Sequence, residues 1–158
     1  MQMTKKLVVL LLLTVGFAAC RKGETYDAEK QLQKDEQLIK DYLAANDLTA
    51  ERHDSGVYYI ISEPGSGTSK YYRDTRVKVT YTGRLLNGSV FDQGTPENPF
   101  TLGGLIMGWQ IGIPLIQKGG KIRLFIPSVY GYGPQQQARI PANSVLDFDV
   151  ELLEVINQ

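Results

Sequence analysis

Hydrophobic residues alternate with polar ones from Gly56 onward, recur at helical spacing between residues 26 and 46, and stand ahead of both as one largely apolar run. "VYYIIS" (57–62) is rich in β-formers and stops at "EPGSG", where a proline and two glycines force a turn. "RVKVTYTGRLL" (76–86) puts Val77, Val79, Tyr81 and Leu85 on one face and Lys78, Thr80, Thr82 and Arg84 on the other. Asn87-Gly88 then predicts a two-residue hairpin turn, with Ser89, Val90 and Phe91 running back antiparallel. "KIRLFIP" directs Ile122, Leu124 and Ile126 inward. "VLDFDVELLEV" does the same with Leu146, Phe148, Val150 and Leu152, leaving Asp147, Asp149 and Glu151 in water. Between the hairpin and these two strands "LIMGWQIGIPLIQKGG" carries Leu105, Ile106, Trp109 and Ile113 at helical positions and ends in a Gly-Gly stop. One short helix covering one face of an antiparallel sheet, an α+β arrangement, is expected.

The stretch "TYDAEKQLQKDEQLIKDYLAAND" has no glycine or proline. It offers Thr25 as an N-cap and places Leu32, Ile39, Tyr42 and Leu43 on a narrow stripe, predicting a helix over about 26–46. Glu36 and Lys40 form an i,i+4 pair in the favourable order. So thin a stripe supports an isolated helix only marginally, so the helix needs a partner. Two roles stay open for it: a solvated spacer, or an arm for a weak homodimer. The lone His53 that follows reads as surface decoration. The domain organisation is 1–19 leader, 20–54 linker with the helix, and 55–158 globular domain.

The leader carries Lys5 and Lys6 before "LVVLLLLTVGFAA" (7–19), too short to span a bilayer but suited to a signal-peptide core. It meets the chain's only cysteine, and "FAAC" (17–20) resembles the bacterial lipobox, in which small residues precede a cysteine that is lipidated. Phe17 departs from the usual leucine. The expectation is a lipid anchor at Cys20 in a bacterial envelope, outer membrane or periplasm favoured; the alternative is an ordinary secretory signal that leaves Cys20 a free thiol. With no second cysteine, no internal disulfide can form, and the core must suffice. At 158 residues with 42% hydrophobic residues, one domain with an appendage has enough apolar material for that. The 17 basic and 17 acidic residues are spread along the chain, so no basic stripe exists for nucleic acid.

Conventional catalytic groups are missing from the globular part: no cysteine, no G-x-S-x-G, no phosphate loop, and a single histidine in the linker. Aromatic residues remain. Tyr81, Phe91, Phe100, Trp109, Tyr132 and Phe148 sit at element ends or beside glycines, a placement that suits either ordinary core or a pocket.

In order, "VTYTG", "FDQG", "NPF", "LIMGWQIGI", "GGKIRLFIP", "YGYG" and "IPANSVLDFDVELLEV" resemble the FKBP-type peptidyl-prolyl cis-trans isomerases, from about Ser55 to the C-terminus. The resemblance implies an FKBP-like twisted, half-open antiparallel sheet of five or six strands wrapped around a short helix. It also implies an apolar active site between helix and sheet, with Trp109 as floor and Tyr81, Phe91, Phe100, Leu105, Ile106, Ile140 and Phe148 around it. By the same resemblance Asp92 edges the pocket, while the Tyr132 hydroxyl and the Ile106 backbone N–H meet substrate carbonyls. No cofactor and no metal are implied. The ligands would be proline-containing polypeptides, during folding of exported proteins, and macrolide inhibitors of the FKBP class. The alternative is a proline-segment binding or holdase module, or an interaction module, with little turnover. "QGTPENP", after Asp92, lacks the arginine that small family members carry there, and Arg139 replaces an often apolar residue near the mouth.

Overall fold

A computed structural model of the protein describes residues 25 to 157. Residues 1 to 24 and 158 lie outside the described part, and with them Cys20 and the apolar leader. Helix α1 spans Ala28–Ala45; strands follow at β1 (Glu51–Arg52), β2 (Tyr58–Glu63), β3 (Arg76–Leu85), β4 (Val90–Gly94) and β5 (Phe100–Thr101). After a 3-10 turn at Leu102–Gly104 come α2 (Met107–Gly112), a second such turn at Ile113–Leu115, β6 (Lys121–Ile126), a third at Ser128–Tyr130, and β7 (Leu146–Ile156).

The strands form a seven-stranded sheet in the order β1-β2-β6-β7-β3-β4, with β5 also on the β3 edge and every pairing antiparallel. Two of the seven, β1 and β5, are only two residues long. The expected alternation holds on the inner face, where Val77, Val79, Ile122, Leu124, Leu146 and Phe148 are buried against α2. The two glycines inside α2 are what let it seat there. A Cβ on Gly108 would come within 2.3 Å of Ile126, and one on Gly112 within 2.4 Å of Leu124, so the bare backbone lies directly on β6.

The hairpin after β3 differs from the expected two-residue turn. Leu85 C=O accepts from Gly88 N–H (2.9 Å) and Leu85 N–H donates to Ser89 C=O (3.0 Å), enclosing Leu86, Asn87 and Gly88. Only Gly88 has positive φ (+85°) in this loop, the three-residue form in which a tight turn is followed by a left-handed glycine.

The outer face is not simply solvated. Helix α1 begins slightly later than Thr25 suggests, because Asp27 is the residue whose side chain reaches the Lys30 N–H (3.0 Å). Its stripe has found a partner in the same chain: Ile39 and Leu43 pack with Tyr58, Phe125 and Val145 in a second core on the outer face of the sheet. Ile39 and Leu43 of the stripe are thereby covered within the chain, while Leu32 and Tyr42 stay half-buried. Phe125 and Asp147, expected on the solvated face, are buried for this reason, Asp147 to 1% exposure. Arg123 makes a two-pronged bond to Asp147 (2.9 and 2.8 Å) and donates to the Tyr42 hydroxyl of α1 (3.1 Å). Glu36 pairs not with Lys40 but with Arg52, at 2.9 and 2.7 Å, and accepts from the Tyr58 hydroxyl. A two-pronged guanidinium at the sheet edge outcompetes a flexible lysine on the same helix.

Candidate active site

Tyr81 and Asp92 meet because β4 is irregular. In its ladder with β3, Gly83 faces Asp92 and Arg84 faces Val90, so Phe91 is the extra residue of a bulge. A regular strand would send neighbours 91 and 92 to opposite faces. Here Asp92 lies opposite Gly83, on the same side as Tyr81, and accepts a 2.8 Å hydrogen bond from the Tyr81 hydroxyl. Phe91 lays its ring over Gly83 and meets Phe148 edge to face, centroids 5.4 Å apart. A Cβ on Gly83 would stand 2.5 Å from Phe148 and 2.7 Å from Phe91, so this strand glycine is what lets the two rings close.

Trp109 rises from α2 into this aromatic set with 4% exposure. Tyr81 and Phe148 stand nearly perpendicular to it at 5.2 Å each, and Phe100 at 6.3 Å. Such edge-to-face contacts contribute about 0.5–1.5 kcal/mol each beyond burial. The indole Nε1 is buried without a hydrogen-bond partner among the described residues.

Above Trp109 opens a cavity of about 330 Å³, lined by Tyr81, Asp92, Phe100, Gly104, Leu105, Ile106, Trp109, Tyr132 and Phe148. All the residues expected from sequence are thus brought together except Phe91 and Ile140. Phe91, half-buried, stands beside Phe148. Ile140 is buried in the core beneath, its backbone paired with Gln137 in a tight turn (2.9 and 2.6 Å). Gly104 was missed, being a glycine with no side chain to argue from.

The cavity rim carries directional groups. Ile106 precedes α2, and its C=O accepts from Trp109 N–H (3.0 Å) and Gln110 N–H (3.2 Å). Its own N–H donates to no acceptor among the described residues. Gln110 Nε2 donates to Leu105 C=O at 2.7 Å, the carbonyl of the peptide unit that bears the Ile106 N–H, and so holds that plane. Sequence reasoning missed this role, since Gln110 looks like any polar helix residue. Tyr132 is 39% exposed at the mouth, and its hydroxyl has no partner among the described residues. Burial first, and then the Asp92 charge, push its phenol above the ordinary range. Asp92 has no ion-pair partner among the described residues, in keeping with "QGTPENP" lacking an arginine; the Tyr81 hydroxyl holds it instead.

Tyr81 is pushed up to about 12, by burial first, then by its bond to Asp92 and the Asp92 charge. Its proton is held more tightly in the folded than the unfolded chain, so this contribution to stability is complete below pH 10 and lost as pH rises through about 12. Tyr81→Phe is therefore expected to show a shallower fall of the urea midpoint across that window than the wild type. Equal slopes would mean that the hydroxyl is not held as described.

A larger hollow, about 470 Å³, opens on the outer face among Thr80, Thr82, Lys121, Arg123 and Asp149. Its cations are already engaged, Lys121 with Glu63 and Arg123 with Asp147. Volume alone does not make a site. Among the described residues no cluster of His, Cys, Asp or Glu is placed to hold a metal ion, and no helix is long and apolar enough to cross a membrane.

Residues 67–153 match the family model described as FKBP-type peptidyl-prolyl cis-trans isomerase. The chain is 44% identical over 106 residues to an FKBP-type peptidyl-prolyl cis-trans isomerase FkpA of Buchnera aphidicola, covering 65% of this chain and 42% of the relative. Its structure is similar to the crystal structure of FkpA from Escherichia coli, with TM-score 0.68 and 37% identity over 81% of this chain and 62% of that one. It is also similar to that of a peptidyl-prolyl cis-trans isomerase from Pseudomonas syringae pv. tomato, with TM-score 0.67 and 30% identity over 85% of this chain and 100% of that one. The chain spans between 42% and 49% of the length of the bacterial relatives it matches, and 22% of a Saccharomyces cerevisiae peptidyl-prolyl cis-trans isomerase.

Proposed function

The chain belongs to the FKBP-type peptidyl-prolyl cis-trans isomerase family, and from that premise we propose that it accelerates rotation about Xaa-Pro bonds in polypeptides at the cavity above Trp109. The observation that carries this is a pair of donors without a partner among the described residues, the Ile106 N–H and the Tyr132 hydroxyl, at the rim of an aromatic cup. An amide rotates over a barrier of about 18–20 kcal/mol because twisting breaks C–N conjugation. Water bonded to the planar, charge-separated amide favours that ground state, so a dry cup lowers the barrier. Trp109, Phe100 and Phe148 grip the pyrrolidine ring. Ile106 and Tyr132 hold the flanking carbonyls while the amide between them twists, and each 1.4 kcal/mol gained is about tenfold in rate. Asp92, oriented by Tyr81, sets a negative edge beside the twisting carbonyl. The step needs neither a nucleophile nor a proton transfer. Macrolides of the FKBP class would occupy the same cup.

The client set proposed is exported protein, and the anchor a lipid on Cys20; both rest on the leader and "FAAC".

The test is isomerisation of a short Xaa-Pro peptide by the full-length chain. Asp92→Val and Tyr132→Phe are expected to depress the rate about tenfold with stability changed by about a kcal/mol or less, since both groups are exposed. Unchanged rates in both would remove the pocket assignment. Trp109 is the chain's only tryptophan, so its emission reports occupancy. Proline-peptide binding without acceleration would establish the holdase alternative. Wild type that partitions with membranes, and Cys20→Ser that does not, would support the anchor; a soluble wild type with a free thiol would oppose it.

A further inference from the structure

Asp35 is a carboxylate with 0% exposure, on a helix that lies outside the segment matched by the family model. A buried charge persists only where its hydrogen bonds are made. Asp35 accepts from Gln31 Nε2 at 2.7 Å and, across 93 positions of sequence, from the Ser128 N–H at 2.7 Å and the Ser128 hydroxyl at 2.6 Å. Two charge-assisted bonds on one residue fix both its backbone and its rotamer.

Ser128 is in turn the base of the turn that carries Tyr132. Its carbonyl accepts from Gly131 N–H (2.9 Å) and Gly133 N–H (2.8 Å), the residues on either side of Tyr132. Gly133 sits at φ +62°, and its own carbonyl accepts from Asn143 N–H at 2.8 Å. The path from the Asp35 carboxylate to the tyrosine therefore consists of one residue's donors on one side and the same residue's acceptor on the other. The Ser128 amide is held by the Asp35 carboxylate and by no backbone carbonyl among the described residues.

We infer that Asp35 is a positioning residue for Tyr132, so that α1 is part of the working active site rather than only a connection to it. The inference rests on the proposed role of Tyr132 as a carbonyl donor. Losing the anion leaves the Ser128 amide and hydroxyl with weaker, neutral bonds in place of charge-assisted ones, and the turn above holds the Tyr132 hydroxyl less firmly where the carbonyl arrives. Misplacement of a positioning group is felt in turnover more than in binding, because the aromatic cup that binds the ring is untouched.

The experiment uses the full-length chain with Asp35→Asn, which keeps shape and removes charge, beside Ser128→Ala, which keeps the backbone donor. A third variant, Glu36→Gln, loosens the same helix from Arg52 and Tyr58 without touching Ser128. Asp35→Asn is expected to lower kcat about tenfold with KM little changed, Ser128→Ala less, and Glu36→Gln not at all even where its urea midpoint falls. In a Tyr132→Phe background Asp35→Asn should lower the rate no further, since the group it positions is gone. Independently of turnover, the fluorine resonance of 3-fluorotyrosine at position 132 should shift or broaden in Asp35→Asn and not in Glu36→Gln. A folded Asp35→Asn with wild-type kcat and an unmoved resonance would overturn the inference while leaving the proposed function standing. A wild type without turnover would remove the functional reading, and the resonance would still decide whether Asp35 holds Tyr132. Should Asp35→Asn not fold, Ser128→Ala with an unmoved kcat and an unmoved resonance would overturn it equally.

Discussion

Trp109→Ala is expected to cost about 3–5 kcal/mol of stability and to remove nearly all of the proposed acceleration of Xaa-Pro rotation. Two losses coincide in this one side chain. It is buried to 4% exposure between α2 and the sheet, so truncation leaves a hole that fully packed neighbours such as Leu124 and Ile126 do not refill. It is also the common partner of Tyr81, Phe100 and Phe148, each of which meets its ring edge to face. Without it the cup has walls and no floor. Urea unfolding beside peptide isomerisation on folded protein checks both parts. Trp109→Phe should recover part of the stability, and a wild-type rate in Trp109→Ala would show that proline is bound elsewhere.

Arg123→Ala is expected to cost about 3–5 kcal/mol, although its side chain is partly exposed. The damage falls on Asp147, which stays buried at 1% exposure and loses both prongs of its partner. Arg84, at 4.0 Å from the same carboxylate and already 2.6 Å from Asp149, is too poorly placed to replace it. The guanidinium also lies 4.9 Å from the Phe125 ring centroid and bonds the Tyr42 hydroxyl, so the docking of α1 weakens with it. Exchanging both residues for apolar ones, Arg123→Met with Asp147→Leu, should recover most of the loss, because the cost lies in the orphaned charge. A double variant no more stable than Arg123→Ala would refute that cause; urea midpoints of the three chains decide.

Much of the candidate site is legible in the order of residues along the chain. Tyr81, Phe100, Leu105, Ile106, Trp109, Tyr132 and Phe148 line one cavity with Asp92. Phe91 and Ile140 do not: Phe91, half-buried, meets the edge of Phe148 outside the cavity lining, and Ile140 is buried in the core at the tight turn with Gln137. Nothing in an apolar side chain's neighbours along the chain says whether it stands in the first layer or the second. Gln110 was missed for a related reason, because its bond to Leu105 C=O exists only once the 3-10 turn brings that carbonyl over α2.

Local pattern by itself determined the inner face of the sheet, the existence of α1 and α2, and the need of α1 for a partner. These follow from periods of two and 3.6 and from glycine punctuation, all readable within a dozen residues. Three things were decided by tertiary structure alone. The bulge at Phe91 depends on which residue of β3 faces which of β4, a register that alternation leaves free by one residue. The docking of α1 buries Phe125 and Asp147, which alternation assigns to solvent because period says which face a residue is on and not what covers that face. The bond from Asp35 to Ser128 joins positions 93 residues apart, and a pairing at that separation leaves no trace in either neighbourhood until the sheet has folded between them.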